Sequence, residues 1–83
     1  MLKKSLRCLR KLEPQPAAEF VKAANRFDSK ITLEKGGHIV NGKSMMGLME
    51  LANRQEEEMT LAADGEDALH ALDVLGHLLE EEL

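Results

Sequence analysis

The stretch Asn41-Gly42-Lys43-Ser44-Met45-Met46-Gly47-Leu48-Met49 holds the residues whose types and spacing best suit a chemical task. Ser44 stands where a short helix would open. Its hydroxyl suits an N-cap, a side-chain oxygen that accepts from a free N–H of the first turn. From Met45 to Ala52 every residue except Gly47 and Glu50 is apolar, more girth than so short a helix can bury against one sheet. Part of the set Met45, Met46 and Met49 is therefore expected at the surface. Unbranched, polarizable methionines make an adaptable docking patch, and here a modifiable hydroxyl lies at its edge. Those features describe a regulator's surface rather than an enzyme's pocket.

Other chemistry-bearing residues give weaker patterns. Glu66, His70, Asp73 and His77 are spaced by four, three and four. On a helix, one face would present two histidines and two carboxylates, the outline of a weak metal site. The same face reads better as a solvated one with local charge pairs, so no metal or other cofactor is expected. His38, in a hairpin, suggests no role. Cys8 reads as a small core residue of a strand, and as the sole cysteine it excludes an internal disulfide and fits a reducing compartment.

The 83 residues suit one domain over 1–83, close to the lower size limit for folding without staples. With two Phe and no Trp or Tyr, the core must be aliphatic. No apolar run approaches the roughly 18 residues that span a bilayer, and Met1-Leu2-Lys3-Lys4-Ser5 does not resemble a signal peptide. A soluble cytoplasmic protein with no membrane partner is expected. The net charge of -4 is unevenly spread. Lys3, Lys4, Arg7, Arg10 and Lys11 open the chain without an acid among them, whereas ten acidic residues and no Lys or Arg follow Arg54. A basic opening suggests nucleic acid. An acidic chain without stacking aromatics argues against direct nucleic-acid binding and favours pairing of the basic segment with an acidic one inside the fold.

The elements that must hold Ser44 follow from periodicity. Residues 2–9 alternate loosely as a strand, with Leu2, Leu6 and Cys8 on one face and Lys3, Ser5 and Arg7 on the other. Pro14 and Pro16 push Glu13 and Gln15 toward extended or turn conformations, and Pro16 suits the first position of a helix to about residue 27. Ala17, Phe20, Val21, Ala24 and Phe27 supply its apolar face. Residues 29–35 and 38–42 are strands joined through Gly36-Gly37, a strong hairpin signal. Residues 44–52 form the short helix, and Met59, Leu61 and Ala63 alternate in a fourth strand. The last helix runs over about residues 66–80, with Ala68, Leu72, Leu75 and Leu79 as its stripe and Leu69, Ala71 and Leu78 flanking it. The order βαββαβα suits an α+β fold, a four-stranded antiparallel sheet with three helices on one face. If the first and last strands are neighbours, Lys3, Lys4 and Arg7 lie beside Glu56, Glu57 and Glu58.

Over nearly its whole length the chain resembles the HPr family of histidine-containing phosphocarriers, nearest its catabolite-repression HPr-like branch, Crh. The resemblance rests on Pro16-Ala17-Ala18, Phe20-Val21, Ala24-Asn25-Arg26-Phe27, Leu33-Glu34-Lys35 and Val40-Asn41. It continues in Lys43-Ser44, Met46-Gly47-Leu48-Met49, Leu51-Ala52, Thr60-Leu61 and Gly65-Glu66-Asp67. The fold it implies, an HPr-like open-faced sandwich, has the element order read above.

The resemblance carries two sites. HPr proteins phosphorylate a histidine in a Gly-(apolar)-His-Ala-Arg-Pro motif, where this chain has Lys11-Leu12-Glu13-Pro14-Gln15-Pro16. Glu13 replaces the phosphohistidine, Gln15 the arginine and Lys11 the glycine. A carboxylate can form an acyl phosphate, but Glu13 repels a phosphoryl donor and lacks the arginine to steady it. The second site is intact: Ser44 matches the serine phosphorylated from ATP by HPr kinase/phosphorylase. The partner implied for that surface is catabolite control protein A, a repressor of the lactose-repressor type, with Gln15, Met45, Met46 and Met49 at the contact. The expected function is thus a non-enzymatic corepressor in carbon catabolite repression. A phosphocarrier of the sugar phosphotransferase system using Glu13 and a constitutive interaction module are the alternatives. Lys11, in place of a flexible glycine, leaves room for first-strand exchange and hence a homodimer.

Overall fold

The computed structural model describes residues 1–7, 14–54 and 58–82. The elements are β1 (Leu2–Arg7), α1 (Pro14–Ala24), β2 (Lys30–Lys35), β3 (His38–Asn41), α2 (Met45–Ala52), β4 (Glu58–Asp64) and α3 (Ala68–Glu82). The strands form one antiparallel sheet in the order β1-β4-β2-β3. Helix α3 packs on β1 and β4, α2 on β3 and β2, and α1 touches both other helices. The α+β architecture expected from the sequence is the observed one.

Local sequence explains the joints. Gly36 and Gly37 have φ of 58° and 80°, the two positive values a tight right-twisting hairpin requires. Inward parity buries Leu6 of β1, Ile31 and Leu33 of β2, Val40 of β3, and Met59, Leu61 and Ala63 of β4. The helices answer with Ala17, Phe20 and Ala24, then Leu48 and Leu51, then Ala71, Leu72, Leu75 and Leu79. The core is aliphatic apart from Phe20, with Phe27 half-buried at its rim.

Several boundaries differ from the sequence reading. Helix α1 starts at Pro14 rather than Pro16, and Gln15 is helical. Both prolines lie in the first turn, where a missing N–H removes no helical bond. At its other end α1 stops at Ala24, because the chain tightens through Arg26 N–H to Ala23 O (3.1 Å) and Phe27 N–H to Ala24 O (3.2 Å). Helix α3 begins at Ala68 rather than Glu66, since Asp67 is turned toward the start of β2. Leu69 does not flank the buried stripe but is 74% exposed. Leu2, read as core-facing, is 41% exposed, being the terminal residue of β1.

β1 and β4 are neighbours, as the charge pattern suggested, with Arg7 opposite Glu58. Lys3 instead faces Ala62 in register, and Lys4 leaves the sheet toward α3, where its ammonium lies 3.6 Å from Glu80. Gly76 makes room for it, since a Cβ there would lie 3.1 Å from Lys4 Nζ. The basic strand is therefore answered partly by the last helix. Glu56 and Glu57, like Cys8, Arg10, Lys11, Leu12 and Glu13, lie outside the described residues.

Candidate functional site

The chain between β3 and α2 is held to β2 by its backbone. Gly42 N–H donates to Ile31 O at 2.8 Å, so close that a Cβ on Gly42 would stand 2.6 Å from Ile31 Cγ2. Asn41 then folds the loop through its own side chain: Oδ1 accepts from Lys43 N–H at 2.9 Å, while Asn41 O accepts from Ser44 N–H at 3.1 Å. These bonds deliver Ser44 in an extended conformation (φ -113°, ψ 121°) at the head of α2.

Ser44 is the N-cap. Its Oγ accepts from Gly47 N–H at 3.2 Å, and its carbonyl accepts the first helical bond from Leu48 N–H at 3.1 Å. Gly47 lets this turn sit close to β3, where a Cβ would lie 3.1 Å from Val40 Cβ. Helix α2 has no acidic residue in its first turn and no basic one in its last. Its positive end thus meets a neutral hydroxyl, leaving that end receptive to an anion.

Beside that cap the methionines divide unequally. Met46 is 76% exposed, whereas Met45 and Met49 are half-buried against the core. Leu48, Leu51 and Ala52 fill the buried side of α2. The apolar girth therefore leaves one methionine standing free with two others at its base. Gln15 is exposed in the first turn of α1, whose body packs on α2. The position of Glu13 lies outside the described residues.

The far end of α2 carries a contact the sequence did not announce. His38 Nε2 lies 3.1 Å from Glu50 Oε2, and an Arg54 guanidinium nitrogen donates to Gly36 O at 3.4 Å. The β2–β3 hairpin thereby braces the helix end. A longer-range joint was equally hidden. Asp67, before α3, accepts from the N–H groups of Asp28 (2.9 Å) and Ser29 (3.0 Å) and from the Ser29 hydroxyl. The Ser29 hydroxyl, then the Asp28 amide, hold the Asp67 carboxyl below its usual value, with burial acting in the opposite sense. The burial of Ser29, whose covered hydroxyl needs a partner, is what demands this joint, and the sequence alone does not display it.

The histidine–carboxylate face of α3 does not converge on a metal. His70 meets Phe27 edge-on at 5.5 Å between ring centres, His77 Nδ1 is 4.0 Å from Asp73 Oδ1, and Glu66 precedes the helix. Among the described residues no group of three or more His, Cys, Asp or Glu is placed to hold a metal ion, and no helix is long and apolar enough to cross a membrane.

Comparison with known proteins places this geometry among relatives. The family profile described as "PTS HPr component phosphorylation site" matches residues 7–81. The HPr-like protein Crh of Bacillus subtilis is 51% identical over 72 residues, 87% of this chain and 85% of that protein. Among solved structures, HPr-C-His from Thermoanaerobacter tengcongensis superposes with a TM-score of 0.88 at 37% identity, over 99% of this chain and 94% of that one. A crystal structure of Bacillus subtilis Crh, described as a dimer with a swapping domain, gives 0.77 at 46% identity, over 100% and 98% of the two chains.

Proposed function

The chain belongs to the HPr family, and from that premise we propose that it is a non-catalytic, cytoplasmic regulator of carbon catabolite repression, switched by phosphorylation of Ser44. The observation that carries this reading is the neutral Ser44 cap on a helix without a first-turn acid, beside exposed Met46. HPr kinase/phosphorylase would join Ser44 Oγ to the γ-phosphorus of ATP, with ADP leaving and the hydroxyl proton passing to a base of the kinase. The product adds about -1.5 to -2 charge where helix N–H groups favour it, so α2 keeps its place. The switch is then a new anion beside an apolar patch. Catabolite control protein A would meet that anion with an arginine or lysine and seat Met46 in an apolar groove, with Met45, Met49 and Gln15 at the margin.

Glu13 in place of histidine, and Gln15 in place of arginine, argue against a phosphocarrier role. The dimeric Crh structure supports a second copy of this chain as a further partner.

Intact-protein mass spectrometry after incubation with HPr kinase and ATP tests the reading, with Ser44→Ala as control. A parallel incubation uses phosphoenolpyruvate and the first enzyme of the phosphotransferase system. One phosphate from ATP, absent in Ser44→Ala, is the expected result. Absence of that phosphate overturns the switch, and label from phosphoenolpyruvate that is lost in Glu13→Gln makes Glu13 a carrier.

A further inference from the structure

Lys43 immediately precedes Ser44, and each of its polar groups is engaged. Its N–H donates to Asn41 Oδ1 at 2.9 Å, its carbonyl accepts from Asn25 Nδ2 at 3.4 Å, and its ammonium donates to Phe27 O at 2.7 Å. Asn25 Nδ2 also reaches Val21 O at 2.8 Å. Phe27 O lies three residues beyond the end of α1, in the segment that leads to β2. A surface lysine ordinarily leaves its ammonium in water. This one is half-buried and straps the loop before α2 to the segment after α1.

We propose that Lys43 is the positioning residue for Ser44, fixing the direction in which the hydroxyl leaves the loop and keeping its own charge off the phosphate. The inference rests on Ser44 being the phosphorylated residue. In-line transfer needs the hydroxyl oxygen held near the phosphorus, and small misplacements there lower the rate of the chemical step rather than binding. A cation next to a modified serine would ordinarily pair with the phosphate and mute it. With its ammonium on the Phe27 carbonyl, Lys43 leaves the phosphate its full charge for a partner's cation.

The test compares wild type, Lys43→Met, which keeps most of the stem and loses the donor, and Lys43→Arg, which restores one. Phosphorylation by HPr kinase and ATP is followed for kcat and KM at low and high salt, and the phosphoserine is titrated by phosphorus NMR. Lys43→Met is expected to lose about tenfold in kcat with KM within about twofold at both salts, and Lys43→Arg to recover most of it. The phosphate titration midpoint should be the same in wild type and Lys43→Met. A loss borne by KM and sensitive to salt would make Lys43 a kinase contact and overturn the proposal. A midpoint that rises in Lys43→Met would show the ammonium paired with the phosphate, and unchanged kcat would show no positioning; either overturns it too. If wild type itself takes no phosphate from ATP, the reading of Ser44 falls and takes this inference with it. Wild-type phosphorylation with an unaffected Lys43→Met removes the inference alone.

Discussion

Helices α2 and α3 are both preceded by a side-chain oxygen, a hydroxyl at Ser44 and a carboxylate at Asp67. Asp67 is committed: it collects two backbone N–H groups and a hydroxyl from the segment entering β2, so its charge is part of the fold. The Ser44 hydroxyl accepts from Gly47 N–H and brings no charge to a helix start that has no acid of its own. A permanent joint between distant segments employs a permanent anion. On the reading proposed for Ser44, a position where charge is added later employs a group that caps the helix without it.

The contrast breaks most severely at Gly65. Its φ of +156° and the 2.5 Å separation between a built Cβ and Ser29 Oγ leave no room for a side chain. Gly65→Ala is expected to destabilise the protein by about 3 kcal/mol, from backbone strain and overpacking combined. Urea unfolding measures it, and a loss below about 1 kcal/mol would show that the Asp67 joint relaxes freely.

Next in size is the charge itself. The Asp67 pKa in the folded chain lies below the reference 3.8, so the unfolded chain takes up its proton first as pH falls. The stability it contributes is complete above pH 3.8 and is lost as pH falls from there through the lower folded value. Asp67→Asn should lower the thermal midpoint at neutral pH. The gap to wild type should close as the solution is acidified through that window. A gap independent of pH would mean the joint depends on hydrogen-bond geometry alone and not on a fixed charge.

How far each helix start was legible in the sequence follows from the same contrast. Ser44 caps its own helix three residues away, a local relation that residue type and spacing display. The Gly36-Gly37 hairpin and the Ala68, Leu72, Leu75, Leu79 stripe are local in the same sense, and all were readable. Asp67 and Ser29 lie 38 residues apart, and no local period links them. Lys43 and Phe27 are likewise joined by the tertiary fold, so their bond was hidden. The surplus of apolar residues in α2 showed that methionine would surface, but selecting Met46 required knowing which sides α1 and the sheet cover. Leu69 was misplaced for a related reason: it lies on the side of the α3 stripe opposite to Ala71 and Leu78, and periodicity does not say which side the fold covers. Glu13 drew its meaning from the family resemblance, since a lone carboxylate before a proline otherwise signals little.

The smallest effects lie at Ser44 and sharpen the comparison most finely. Ser44→Ala removes the acceptor for Gly47 N–H and is expected to destabilise by about 1 kcal/mol. Ser44→Asp keeps an acceptor and places a fixed charge where α2 has none. It should recover that loss and add about 0.3–1 kcal/mol over wild type in low salt. The added part should fade toward about 1 M salt, where screening acts within roughly 3 Å, while the recovered part persists because hydrogen bonding does not depend on charge at a distance. Urea unfolding of the three proteins at two salt concentrations separates the terms. If Ser44→Asp is less stable than wild type even in low salt, the start of α2 does not welcome an anion. Phosphate there would then have to disturb the helix rather than decorate it, and the division between a committed charge at α3 and a reserved place at α2 would fail.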